Sequence, residues 1–131
     1  MTTSGTPPSN REEATSVVYE NCKKFLFFFD FKMKKAMYTF GGWDGSCCNE
    51  IYSLNLETNI WTYVDVFSDL PNRRYKHTAI VHQDKMFVFA GCVGNTLNKT
   101  DDISFFDFKK KTWKNIKNTG DDVPSKRNKH R

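Results

Sequence analysis

The chain lacks most of the features that would assign it a chemistry at once. It has no stretch of eighteen apolar residues, so no helix of it can span a membrane. Residues 1–16 (MTTSGTPPSNREEATS) have neither the basic start nor the apolar middle of a secretory leader, and read as a disordered tail. The run FLFFF at 25–29 is too short, and too far in, to serve as one. The cysteines, Cys22, Cys47, Cys48 and Cys92, include no Cys-x-x-Cys pair, which predicts free thiols in a reducing compartment, the cytoplasm. A vicinal disulfide at Cys47-Cys48, or a metal clip of that pair with Cys92, is the alternative. Such a clip needs four ligands in a tetrahedron, so no metal and no cofactor is expected. Histidine is limited to His77, His82 and His130, and nothing in the sequence orients His82. No segment holds helical periodicity over eleven residues.

Of 131 residues, 38% are hydrophobic and 15% aromatic, dominated by Phe, enough to bury a core where strands lie, in one domain at most. The net charge of +5 is uneven, with nine Lys/Arg in residues 109–131 against Asp121 and Asp122. A basic patch with interleaved aromatics can bind single-stranded nucleic acid. Here the basic residues fall in a turn (Lys109, Lys110, Lys111), on an outer strand (Lys114, Lys117) and at the end of the chain. A solvated surface is the better reading, with neither nucleic acid nor membrane as partner. Asn98-Lys99-Thr100 matches a glycosylation acceptor, a triplet common by chance.

What is present is a repeat. The apolar run MYTFGG (37–42) returns as MFVFAGC (86–92), and NEIYSLNLETNIW, ending at Trp61, returns as DDISFFDFKKKTW, ending at Trp113. Gly41 and Gly91 are 50 residues apart and the tryptophans 52. Pro71, Arg74 and His77 recur 53 residues on as Pro124, Arg127 and His130. A period near 50 with four short strands is what a propeller blade needs. The pattern places strands at Ala36–Phe40, Ile51–Leu56 and Ile60–Val64, then at Thr78–Val81, Met86–Ala90, Ile103–Phe108 and Thr112–Ile116, separated by polar turns. Sliding back 50 residues from Thr78 lands on Phe28–Phe31, which gives a degenerate first strand somewhere in 17–35. The predicted organisation is a tail at 1–16, a first blade at 17–68, a second at 69–122, and the start of a third at 123–131.

With Gly41-Gly42, Tyr52, Trp61 and Arg74-x-x-His77, then Gly91, Trp113 and Arg127-x-x-His130, residues 36–131 resemble the Kelch-repeat family of β-propellers. Cys92 stands where a second glycine belongs, and Ser104 where Tyr52 stands. The resemblance implies an all-β fold, antiparallel four-stranded blades forming part of a larger ring, with the tryptophan packed between blades and Arg74 and His77 bracing it. It also implies a non-enzymatic module that binds a protein partner, since the family includes cytosolic scaffolds, leucine-zipper-like regulators and substrate receptors of ubiquitin ligases. Some Kelch-like propellers are copper oxidases, but their site gathers His and Tyr from several blades.

In this family the binding face is built from the loops between second and third strands and those between blades. Carried onto this chain, these are 43–48, 93–100, 65–73 and 119–126. Trp43, Asp44, Arg73, Asn95, Asn98 and Lys126 are the partner-binding candidates. Asp44-Gly45 and Gly94-Asn95 are good turn formers in any case. Open blade faces on two stacked blades also predict self-association.

Overall fold

A computed structural model describes residues 2–22 and 33–116, and all its regular structure is β. The strands are β1 (Ser4–Gly5), β2 (Thr15–Cys22), β3 (Met33–Phe40), β4 (Ile51–Asn55), β5 (Ile60–Tyr63), β6 (Arg74–Tyr75), β7 (Thr78–His82), β8 (Lys85–Phe89), β9 (Cys92–Val93), β10 (Ile103–Asp107) and β11 (Thr112–Ile116). The first blade has the order β1-β5-β4-β3-β2 and the second β11-β10-β8-β7, with β6 and β9 forming a small ribbon beside them. In each blade the four longer strands, β2 to β5 and β7, β8, β10 and β11, form an antiparallel meander, and the first of each set, β2 and β7, approach one another across the blades.

Strand alternation explains how the blades stack. Val17, Tyr19, Tyr38, Phe40, Ile51 and Val64 project from one face of blade 1, and Val81, Met86, Val88, Phe106, Phe108 and Trp113 from one face of blade 2; together they form the main core. Phe108 stacks on Tyr19 with centroids 4.0 Å apart, and Trp113 lies 4.8 Å from Phe40. The sheets remain open and do not close on each other, as part of a propeller would.

The segment expected to be a disordered tail is not one. Ser4 and Gly5 pair in parallel with Ile60 and Trp61, and Glu12 bridges Trp43. The reason is an unsatisfied strand edge: the Ser4 and Thr6 amides donate to the Asn59 and Trp61 carbonyls at 3.1 and 3.0 Å, covering the outer edge of blade 1. Residues 65–73 do the same for blade 2, where the Phe67 amide donates to the Lys111 carbonyl and the Trp113 amide to Ser68 Oγ. Residues 2–14 therefore belong to the first repeat.

The first strand also needs correction. The strand expected somewhere in 17–35 is β2, which starts two residues earlier, at Thr15, and the run 28–31 lies outside the described residues. Thr15 opposes Phe40 across 25 positions, whereas Thr78 opposes Phe89 across 11, so the first hairpin of blade 1, strands and connection together, is 14 residues longer. A fixed period could not find it.

Candidate functional site

The repeat continues into the residues that hold the loops. The Pro-x-x-Arg of Pro71–Arg74 occurs earlier as Pro8–Arg11, 63 residues before it. Arg74 is fully buried and forks onto Asp102, with Nη1–Oδ1 2.7 Å and Nη2–Oδ2 2.8 Å, while Nη1 also donates to the Ala90 carbonyl and Nε to that of Asn72. Arg11 repeats the arrangement: Nη1 donates to the Gly41 carbonyl at 3.1 Å and meets Glu50 Oε2 at 3.4 Å, and Nε donates to the Ser9 carbonyl. Each Arg thus ties the entry to the first strand, the end of the second and the start of the third. Burial draws the Asp102 carboxyl upward, but hydrogen bonds and charge from Arg74 outweigh it and hold it below the ordinary range.

These contacts set the repeat register and correct the glycine alignment. Gly41 (φ 64°) corresponds to Ala90 (φ 60°), and Gly42 (φ 100°) to Gly91 (φ 104°), so Cys92 takes the place of Trp43 and not of a glycine. A Cβ on Gly42 would lie 2.8 Å from that of Ala14, and on Gly91 2.9 Å from that of His77, which explains why both sites take glycine. Ala14 stands where His77 does, so the first motif reads Arg11-x-x-Ala14.

His77 is buried against blade 1, its ring 5.2 Å from that of Phe40 and its Nε2 2.7 Å from Thr15 Oγ1. Burial, helped by the charge of Arg74, lowers its pKa to about 3, so it is a neutral packing group between blades. His82 lies exposed at the end of β7.

Trp43, Arg73 and Asn95 come together around buried Cys47. Trp43 forms a bridge with Cys47, Asn95 Oδ1 accepts from the Cys47 amide at 2.8 Å, and Arg73 Nη1 donates to the Cys47 carbonyl at 3.3 Å. Beneath them Cys47, Tyr75 and Cys92 form a second small core, on which Trp43 packs with its ring 5.4 Å from that of Tyr75. Loops from both blades and the linker between them thus share one end and one support. Asp44 and Asn98 are exposed in these loops. Asp44 accepts from Ser9 Oγ at 2.5 Å, which lowers its pKa, and Asn98 donates its amide to Thr96 Oγ1. Lys126, Arg127 and His130 lie outside the described residues, as does the loop 119–126.

Cys47 and Cys48 are buried and unlinked, so the vicinal disulfide does not form. Burial raises the pKa of both, that of Cys48 to about 11, which keeps them as unreactive thiols. Among the described residues no group of three or more His, Cys, Asp and Glu is placed to hold a metal ion. Tyr52 lies under the Arg11 guanidinium, while Trp61, half-buried, borders a cleft that it shares with Pro7, Pro8, Ser16 and Thr39.

Arg11, Glu50, Asp102 and Tyr75 are the residues that sequence reasoning passed over. Their signal was present, in Pro8-x-x-Arg11 and in the acidic position that opens each third strand. The extra residues in the first hairpin of blade 1 displaced the first of these from the period.

The whole chain, residues 1–131, matches the KLHDC2/KLHL20/DRC7 Kelch-repeats domain. It is 37% identical over 99 residues to Host cell factor 2 of Homo sapiens, a match covering 76% of this chain and 12% of that protein. To the Leucine-zipper-like transcriptional regulator 1 homolog of Drosophila melanogaster it is 32% identical over 117 residues, covering 88% of this chain and 10% of that protein. The chain spans about a tenth of the length of these relatives. Because the family match runs through both blades and not only the loops between them, the chain belongs to the Kelch-repeat family of β-propellers.

Proposed function

We infer that this chain is part of a non-catalytic recognition module, a Kelch scaffold or adaptor that binds a protein partner with the loop end of its blades. The observation that carries the reading is the tie between loops: Asn95 of one blade and Arg73 of the linker both hold the Cys47 backbone of the other. A surface held this way meets a partner without first paying to order its loops. Trp43 and Arg73 supply the kind of side chains that dominate binding energy, a large ring and a planar five-donor fork. Family membership supports protein binding in general, and the adaptor role is our extension of it.

The test compares the full chain with Trp43→Ala, Arg73→Glu and Lys109→Glu in affinity capture, after confirming equal unfolding midpoints. Lys109 sits in the turn at the opposite end of β10. Partners retained by Lys109→Glu and lost with both loop-end variants support the reading. Partners lost only with Lys109→Glu, or with none of the three, overturn it.

A further inference from the structure

The two blades differ at a pair of facing positions on their outer strands. In blade 1, Tyr52 of β4 opposes Tyr63 of β5, and their rings meet edge to face with centroids 5.4 Å apart. The equivalent register in blade 2 sets Ser104 of β10 opposite Asn115 of β11. Two rings have become two small polar side chains. Where those rings are missing, a cleft of about 420 Å³ opens, with Ser104, Asn115, Trp113 and Asp102 on the blade side and Leu70 and Pro71 of the linker across from them. Its size suits a small-ligand cleft, roughly 300–1,000 Å³. Ser104 is 2% exposed and forms a deep floor, and the Trp113 indole N–H beside it is buried with no hydrogen-bond partner among the described residues.

The geometry points to this cleft as a receptor for the phenol ring of a tyrosine from a protein partner, seated where blade 1 places tyrosines of its own. Leu70 and Pro71 offer the apolar surface a ring requires, to which the small exposed part of Trp113 adds. The carboxylate of Asp102 and the amide of Asn115 offer hydrogen-bonding groups for the hydroxyl, whose burial without a partner is costly. This assignment rests on reading the loop end as the end that meets partners, since Leu70 and Pro71 lead into Arg73 of the loop cluster.

The probe is N-acetyltyrosinamide, followed by saturation-transfer NMR with micromolar full chain. Transfer to its ring protons is expected, exceeding that to N-acetylleucinamide. The double variant Ser104→Tyr/Asn115→Tyr recreates the pair of blade 1 and fills the cleft, so it should reduce transfer several-fold while keeping the unfolding midpoint. Absent transfer, equal transfer to the leucine probe, or undiminished transfer in the double variant overturns the assignment. So does unfolding of the double variant, because the space would then be unfit for a ring. A silent tyrosine probe alongside partner capture that still depends on Arg73 sinks the cleft alone. Tyrosine binding alongside capture indifferent to Trp43 and Arg73 sinks only the loop cluster.

Discussion

At the scale of the residue, Arg74 and His77 show how one motif supplies both charge and packing. Arg74 is fully buried, yet its guanidinium meets two carboxylate oxygens and two backbone carbonyls, so its charge is satisfied where it stands. His77 beside it must stay neutral. Folded, it takes a proton only near pH 3, whereas an unfolded histidine does so near its ordinary 6.5. Between those values the unfolded chain binds more protons, so stability is full above pH 6.5 and falls as the pH is lowered towards 3. The slope is bounded by about 1.4 kcal/mol per pH unit. Urea midpoints should therefore decline from pH 6.5 downward in the wild type and stay flatter in His77→Gln. The further fall from Asp102, whose pKa is depressed, belongs below the ordinary carboxylate range and should remain in both. Parallel profiles for the two proteins between pH 6.5 and 4 would show that His77 is not the group responsible.

At the scale of the element, the two tryptophans occupy equivalent strand positions and different surroundings. Trp113 is 8% exposed, packed between Phe40 of blade 1 and Phe106 of its own blade. Trp61 is only half-buried, because among the described residues no blade covers its face. Trp113→Ala should cost roughly 3–5 kcal/mol, and Trp61→Ala clearly less. Lys109→Ala removes only an exposed, solvent-screened ion pair with Asp84 and should change the midpoint little. Denaturant midpoints of the three variants test this order, and a Trp113→Ala as mild as Lys109→Ala would contradict the packing. The strands of blade 2 were legible because alternation, turn residues and tryptophan all fell at one period; Thr112–Ile116 lies where the pattern put it. The first strand of blade 1 was not, because alternation in TSVVYENC is weak and its distance from the second strand departs from the period. The edge strand at Ser4–Gly5 is invisible to side-chain pattern, since it is held by backbone groups alone. The loop cluster was legible as a set of loops, but Cys47, the residue joining them, reads as a turn residue until its burial is seen.

At the scale of the whole molecule, the question is what covers the outer faces of the stack. Blade 2 turns Ile80, Phe87 and Phe105 away from blade 1, with Ile80 60% exposed and the two phenylalanine rings 5.6 Å apart. The equivalent positions on blade 1 include Val17 and Tyr38, which pack against the core between the blades. The outer face of blade 2 thus has the same build as a face that is already used for stacking. On the far side of blade 1, Val18 and Tyr63 are 48% and 44% exposed. The expected association brings one copy's blade 2 onto another's blade 1 much as the blades meet within the chain, a head-to-tail contact that is open-ended unless rotation closes it. Sedimentation velocity of this chain should show association that grows with concentration, and Ile80→Glu combined with Phe87→Ser should return it towards monomer without lowering the midpoint of the core between the blades. Substitution at Lys109, away from both faces, should leave association unchanged. A single monomeric species at all concentrations, with amide protection extending through both blades, would instead show that two blades suffice as a stable unit and that these outer apolar side chains are tolerated without a covering partner.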